Sequence, residues 1–139
     1  MINKKNNILI TGGAGYIGSH IVEELVKQKN NVFILDNLVT GFKKLINKKA
    51  IFIKGDIKNI DLVKKIIKKN HIKSLIHVAA HLNVSEAEKK KSKYYLNNIV
   101  ATEKLLKACN NTQVKNIIFS SSCSIYGNVK GSVNETKKP

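Results

Sequence analysis

The stretch Ile8-Leu9-Ile10-Thr11-Gly12-Gly13-Ala14-Gly15-Tyr16-Ile17-Gly18-Ser19-His20 constrains this chain more than any other. An apolar run of strand type meets a cluster of glycines. The residues after them become helix-periodic, with Ile17, Ile21, Val22, Leu25 and Val26 on one side. Glycines at a strand-to-helix turn remove the Cβ atoms that would block it and let a pyrophosphate approach the backbone. The helix behind them offers unpaired N–H groups and roughly half a positive charge at its start. Gly13-x-Gly15-x-x-Gly18 is the general spacing of a dinucleotide cradle, and Gly12-x-x-Gly15-x-x-Gly18 is a wider register over the same residues.

The remaining pattern repeats strand and helix. Strands are expected at Asn7 to Thr11, Val32 to Leu35 ending on Asp36, Ala50 to Lys54, Ser74 to Ala79 and Asn116 to Ser121. Helices are expected at Gly15 to Lys29, Asn59 to Asn70 and Ser92 to Asn111, with a short helical piece near Phe42 to Asn47. His81 to Lys91 and the stretch beyond Ser121 read as loops. Apolar strands alternating with amphipathic helices indicate βαβ units, hence an α/β fold with a parallel sheet covered on both faces. Right-handed crossovers then favour a doubly wound sheet of order 3-2-1-4-5, whose ligands bind at the carboxyl ends of the strands. Gly12, Asp36, Asp56, Ala79 and Ser122 all fall on those ends. One domain is expected, without internal repeat or boundary.

The net charge of +16 raises the question of nucleic acid. All 25 basic residues are lysine, however, and arginine is the usual tool for bidentate phosphate and base contacts. Lys64, Lys65, Lys68 and Lys69 are spread over a helix face, and abundant lysine, asparagine and isoleucine is what an AT-rich coding sequence produces. Specific nucleic-acid binding is therefore not expected. No apolar run reaches membrane-spanning length, and Met1 to Asn7 is polar, unlike a signal peptide. Cys109 and Cys123 suggest neither a disulfide framework nor a metal site, so a cytoplasmic protein is expected. His20, His71, His77 and His81 are not spaced as metal ligands, and Cys123 reads as a small packing residue.

Asp36 closes the second strand, where a carboxylate can accept from adenosine ribose hydroxyls and would repel a 2′-phosphate. NAD is thus favoured over NADP. Further motifs follow in order: Asp36-Asn37-Leu38, Gly55-Asp56-Ile57, His77-Val78-Ala79-Ala80, Tyr94-Tyr95-Leu96-Asn97-Asn98 and Phe119-Ser120-Ser121-Ser122-Cys123-Ser124-Ile125-Tyr126-Gly127. With the glycine stretch, these six motifs cover nearly the whole chain. In them it resembles the NAD-dependent sugar-nucleotide epimerases and dehydratases, the extended short-chain dehydrogenase/reductases of Rossmann fold.

That resemblance implies roles. Gly12, Gly15, Tyr16, Ile17 and Gly18 would hold the cofactor diphosphate, with Asp36 and Asn37 at the adenosine ribose. Asp56 would bond the adenine amino group, with the Ile57 backbone beside it. Val78, Ala79 and Ala80 would pass under the cofactor, and Ser120 would line it. Asn97 would bond near the nicotinamide ribose or the loop after the fourth strand. Ser122 matches the catalytic Ser/Thr position and would bond the sugar 4-oxygen of a UDP-sugar. The implied chemistry is a redox-neutral cycle through a 4-keto sugar. A Tyr-x-x-x-Lys pair supplies the acid/base tyrosine, its pKa lowered by the lysine charge.

The chain departs from that pattern in places. Tyr126-Gly-Asn-Val-Lys130 has the bare Tyr-x-x-x-Lys spacing, but Gly127 argues against a helix there. The expectation is therefore a single NAD-binding domain over residues 1–139, ending before the acid/base helix and lacking the substrate domain, inactive alone. Another dehydratase, decarboxylase or uronate epimerase, or a non-catalytic NAD-binding remnant, fits the same motifs. Leu82 and Ser85 replace a polar residue and a glycine, Ala101 stands where glycine is common, and the usual proline between His81 and Lys91 is missing. By the same resemblance a homodimer forms through the fourth helix, whose apolar face, including Ile99, Leu105 and Leu106, would be exposed without its partner helix.

Overall fold

The computed structural model describes residues 5–127, 129 and 131–138. Most of Met1 to Asn7, together with Lys130 and Pro139, lies outside the described residues. Strands β1 (Asn7–Thr11), β2 (Asn31–Asp36), β3 (Ile51–Lys54), β4 (Ser74–His77) and β5 (Asn116–Phe119) form one sheet of order β3-β2-β1-β4-β5. Every pairing is parallel, with Ile8 opposite Val32 on one side and Ser74 on the other. The doubly wound order expected from the sequence is the order found.

Alternation along the central strands sends side chains to two apolar cores. Leu9, Phe33, Leu35 and Leu75 pack with Val63, Ile66 and Ile67 of α2 (Ile60–Lys69) and with Leu105 and Ala108 of α5 (Ala101–Cys109). Ile8, Ile10, Val32 and Ile34 pack on the other face with Val22, Ile21 and Leu25 of α1 (Tyr16–Lys27). Helix α2 starts where the Asn59 side chain accepts from the Leu62 N–H at 3.0 Å, a satisfied N-cap, and ends in Lys68 and Lys69. Helix α1 stops at Lys27 rather than Lys29, because Lys29 adopts a left-handed φ of 63° and Asn30 folds back on the Leu25 carbonyl.

Other boundaries differ more. Strand β4 ends at His77, not Ala79, because the chain bends away beneath Gly12 after one more ladder bond, Val78 N–H to Thr11 O. The expected loop from His81 to Lys91 contains helix α3 (Val84–Lys89), capped by the Asn83 side chain on the Glu86 N–H at 2.9 Å. The long fourth helix is three pieces: α4 (Lys91–Tyr94), a π-helical segment (Tyr95–Val100) and α5. The piece near Phe42 is one 3₁₀ turn, Lys43–Leu45, and a second 3₁₀ turn, Cys123–Tyr126, follows β5. Gly127 ends that turn at φ 66°, so no helix runs from Tyr126 through it.

The expected apolar face of the fourth helix is partly corrected. Ile99 and Leu106 are exposed, while Leu105 is fully buried, since it points to the sheet. β5 is an edge strand, and its Ile117, Ile118 and Phe119 are exposed. No described helix is long and apolar enough to cross a membrane, and no group of three metal-ligating side chains occurs among the described residues.

These adjacent leucines give a direct check of the packing. Leu105→Ala should lower unfolding free energy by about 3 kcal/mol through a core cavity, and Leu106→Ala by less than about 1 kcal/mol, in urea titrations followed by circular dichroism.

Candidate functional site

The glycine turn is built by exclusion of side chains. Gly12 has a φ of 76°, and a Cβ there would lie 2.7 Å from the Ala79 backbone. A Cβ at Gly18 would lie 2.1 Å from the Gly12 carbonyl oxygen. Helix α1 therefore starts hard against the turn. No side chain caps its first residues, and Tyr16 and Ile17 are exposed there. Unpaired N–H groups at a helix start, over a floor without Cβ atoms, fit the diphosphate of a dinucleotide.

Asp36 is buried at the end of β2 and binds this turn to the next loop. Its Oδ2 accepts from the Ala14 N–H at 3.0 Å and its Oδ1 from the Leu38 N–H at 2.8 Å. Each oxygen keeps a second lone pair for a ribose hydroxyl. Ala14 in turn accepts from the Phe42 N–H at 2.9 Å, so the loop after β2 closes over the turn. Beside it, Asn37 Nδ2 donates to Asp56 Oδ2 at 3.1 Å, while Asp56 Oδ1 holds the Lys58 N–H at 2.9 Å. Ile57 is buried under them. The structure thus brings Gly12, Gly15, Gly18, Asp36, Asn37 and Asp56 to one end of the sheet.

On the other side of β1, a cleft of about 410 Å³ opens at the ends of β4 and β5. Val78, Ala79 and Ala80 form one wall, and Ser120, Ser121 and Ser122 another. Ser120 is fixed by its N–H to the His77 carbonyl at 3.0 Å. Ser122 is exposed, and its hydroxyl hydrogen-bonds that of Ser124. The third wall is α3 and Tyr94. Glu86 organises that wall: it accepts from Lys93 at 2.8 Å, Lys90 at 3.1 Å and the Tyr94 hydroxyl at 3.1 Å. Those donors, Lys93 foremost, hold its carboxyl at about 2. Burial and then the bond to Glu86 raise the Tyr94 phenol, and burial, with Lys93 nearby, lowers His81.

Asn97 does not hold the loop after β4; its neighbour does. Asn98 accepts the His81 N–H and donates to the His81 carbonyl, both at 2.9 Å, whereas Asn97 is buried and donates to Asn98 Oδ1 at 3.0 Å. The π-helical winding sets which asparagine faces the loop, and an α-helical pattern cannot reveal it. His77, which is not spaced as a metal ligand, is buried with both ring nitrogens bonded. Its Nδ1 lies 2.6 Å from Thr11 Oγ1 and its Nε2 2.9 Å from Thr102 Oγ1. Thr11 and Thr102 are polar residues at this site that sequence reasoning did not single out.

A doubly wound sheet whose glycine turn and cleft meet on either side of the switch between β1 and β4 defines a dinucleotide-binding protein. The comparisons with known proteins narrow this. The description "NAD dependent epimerase/dehydratase family" matches residues 8–139, and the chain belongs to that family. It is 48% identical over 120 residues to the UDP-glucose 4-epimerase of Lactobacillus helveticus, covering 86% of this chain and 36% of that protein. Two solved structures are similar. The UDP-glucose 4-epimerase of Brucella ovis in complex with NAD superposes with a TM-score of 0.86 at 37% identity, over 96% of this chain and 41% of the other. The Thermotoga maritima enzyme with UDP-glucose does so with a TM-score of 0.86 at 34% identity, over 96% and 44%. The chain therefore spans little more than a third of the length of the L. helveticus relative.

Burial holds the His77 pKa down at about 4, against 6.5 for the free side chain. Between these values the unfolded chain takes up a proton that the folded chain refuses, so stability is full above pH 6.5 and falls as pH drops towards 4, by on the order of 3 kcal/mol. Urea titrations at pH 7 and pH 4.5 should show that loss in the wild type and much less of it in His77→Asn. A wild-type stability that is flat across this window would contradict the buried neutral imidazole.

Proposed function

We propose that this chain is the NAD-binding part of a sugar-nucleotide 4-epimerase acting on UDP-glucose and UDP-galactose. The observation that carries the reading is the bond from the Ala14 N–H to Asp36, which makes the glycine turn and the ribose-binding carboxylate one rigid cradle. Gly12, Gly15, Tyr16, Ile17 and Gly18 would hold the diphosphate, and Asp36, Asn37, Asp56 and Ile57 the adenosine half. Val78, Ala79, Ala80, Asn97 and Ser120 would take the nicotinamide half. When bound, NAD supplies the acceptor and donor for hydride at the sugar 4-carbon.

Ser122, open in the cleft, is the residue proposed to hydrogen-bond the sugar 4-oxygen. Its family partner, a helical Tyr-x-x-x-Lys pair, does not occur among the described residues. Tyr94 does not replace it. Its hydroxyl donates to Glu86, and its pKa is raised rather than lowered, which makes it a poor base near neutrality. The 139-residue chain is therefore proposed to bind NAD without turning over UDP-galactose. The exposed Ile99 and Leu106 support a proposed homodimer through α4, the π segment and α5.

Isothermal calorimetry tests the cofactor reading. NAD should bind at least about tenfold tighter than NADP, because a 2′-phosphate would face the buried Asp36 carboxylate with no arginine to receive it. Gly18→Val should abolish binding, since even a Cβ there meets the Gly12 carbonyl. No heat and no thermal shift with NAD would count against the reading. Epimerisation of UDP-galactose by purified material of verified mass would overturn the inactivity.

A further inference from the structure

Three hydrogen bonds at the junction of β1, β4 and the helix that follows the π segment have fixed directions. The Thr102 hydroxyl donates to the Asn98 carbonyl at 2.8 Å. Its single proton is then used, so toward His77 Nε2, 2.9 Å away, its oxygen accepts. That places the imidazole proton on Nε2 and leaves Nδ1 to accept from the Thr11 hydroxyl at 2.6 Å. The chain thus runs one way, from Thr11 through His77 and Thr102 into the backbone of Asn98. Asn98 then holds both polar groups of the His81 backbone.

Two further observations bear on this chain. It begins at Thr11, the residue before the glycine turn, and ends on the segment Val78–His81, which floors the cleft. It also enters the helix at Tyr95–Val100, whose turns are π-helical. Such turns are uncommon and recur at functional sites because they re-aim side chains. Here Asn97 and Asn98, consecutive residues, are both directed inward, one buried and one bonded to the loop.

We propose that His77 and Thr102 are positioning residues for the cofactor site: their directed hydrogen bonds set the π segment so that Asn98 holds the cleft floor in the geometry that receives the nicotinamide half. This rests on the cofactor reading above. The adenosine half is served by a separate set of groups around Asp36 and Asp56. Loss of the chain should therefore divide the ligand: binding of the nicotinamide end weakens and binding of the adenosine end does not. A general packing role would weaken both together.

The experiment compares NAD with ADP, which carries the adenosine and both phosphates, by calorimetry on wild type, Thr102→Val and Thr102→Ser. Thr102→Val keeps the volume and removes the hydroxyl. It should lower NAD affinity about five- to tenfold and ADP affinity by less than about twofold, and Thr102→Ser should restore NAD binding. Unchanged NAD affinity in Thr102→Val, a parallel fall for ADP, or no rescue by serine overturns the proposal. The wild-type protein tests it independently of any variant's folding. Its histidine ¹⁵N spectrum at pH 7 should show His77 as the Nε2–H tautomer, and an Nδ1–H tautomer overturns the proposed direction. A wild type that binds neither ligand overturns the cofactor reading and the positioning role with it, whereas normal wild-type binding with an insensitive Thr102→Val overturns the positioning role alone.

Discussion

The structure depends on one steric constraint: three backbone segments meet at Gly12, where no side chain fits. A Cβ at Gly18 would strike the Gly12 carbonyl, and one at Gly12 would strike Ala79. This contact joins the end of β1, the start of α1 and the exit of β4 into one node. Asp36 then ties the node to the loop after β2 through Ala14 and Leu38. The same crowding brings the start of α1, whose first N–H groups no side chain caps, hard against the turn, so the packing requirement and the proposed diphosphate cradle are the same feature.

Stability comes from the two apolar cores, not from charge. The ion pairs Lys27 with Glu23 and Lys107 with Glu103 are exposed pairs on helix surfaces, where solvent screens them and they contribute little. The lysine excess therefore sits on solvated faces and leaves the fold unaffected. Polar groups inside the molecule are instead matched one to one, as in the Thr11–His77–Thr102 chain, because an unpartnered donor there would cost more than the bond contributes.

Much of the fold was legible because periodicity was strong where burial was two-sided. Ile8, Leu9 and Ile10 announce a central strand, and Leu62, Val63, Ile66 and Ile67 announce the inner face of α2. Helix α3 was missed because its sequence is polar and lysine-rich, although Asn83 and Glu86 carried an N-cap signal. Leu105 was misjudged because it was grouped with its neighbour Leu106, although the spacing of Ala101, Leu105 and Ala108 already places it on the inner face of α5. The π-helical winding further back is what turns Asn98, not Asn97, toward His81.

The amino-acid order alone determined the strand–turn–helix that opens the chain, the parallel sheet order and the carboxylate that ends β2. These follow from local sterics, apolar alternation and crossover handedness, all of which act over short stretches. Tertiary structure alone decided which polar groups meet. Asp36 reaches Ala14 across 22 residues and His77 reaches Thr11 across 66, distances over which spacing carries no information. Only closure of the sheet brings those groups within hydrogen-bond reach. The physical reason is that burial requires each polar atom to find a partner, and the fold decides which partner is near.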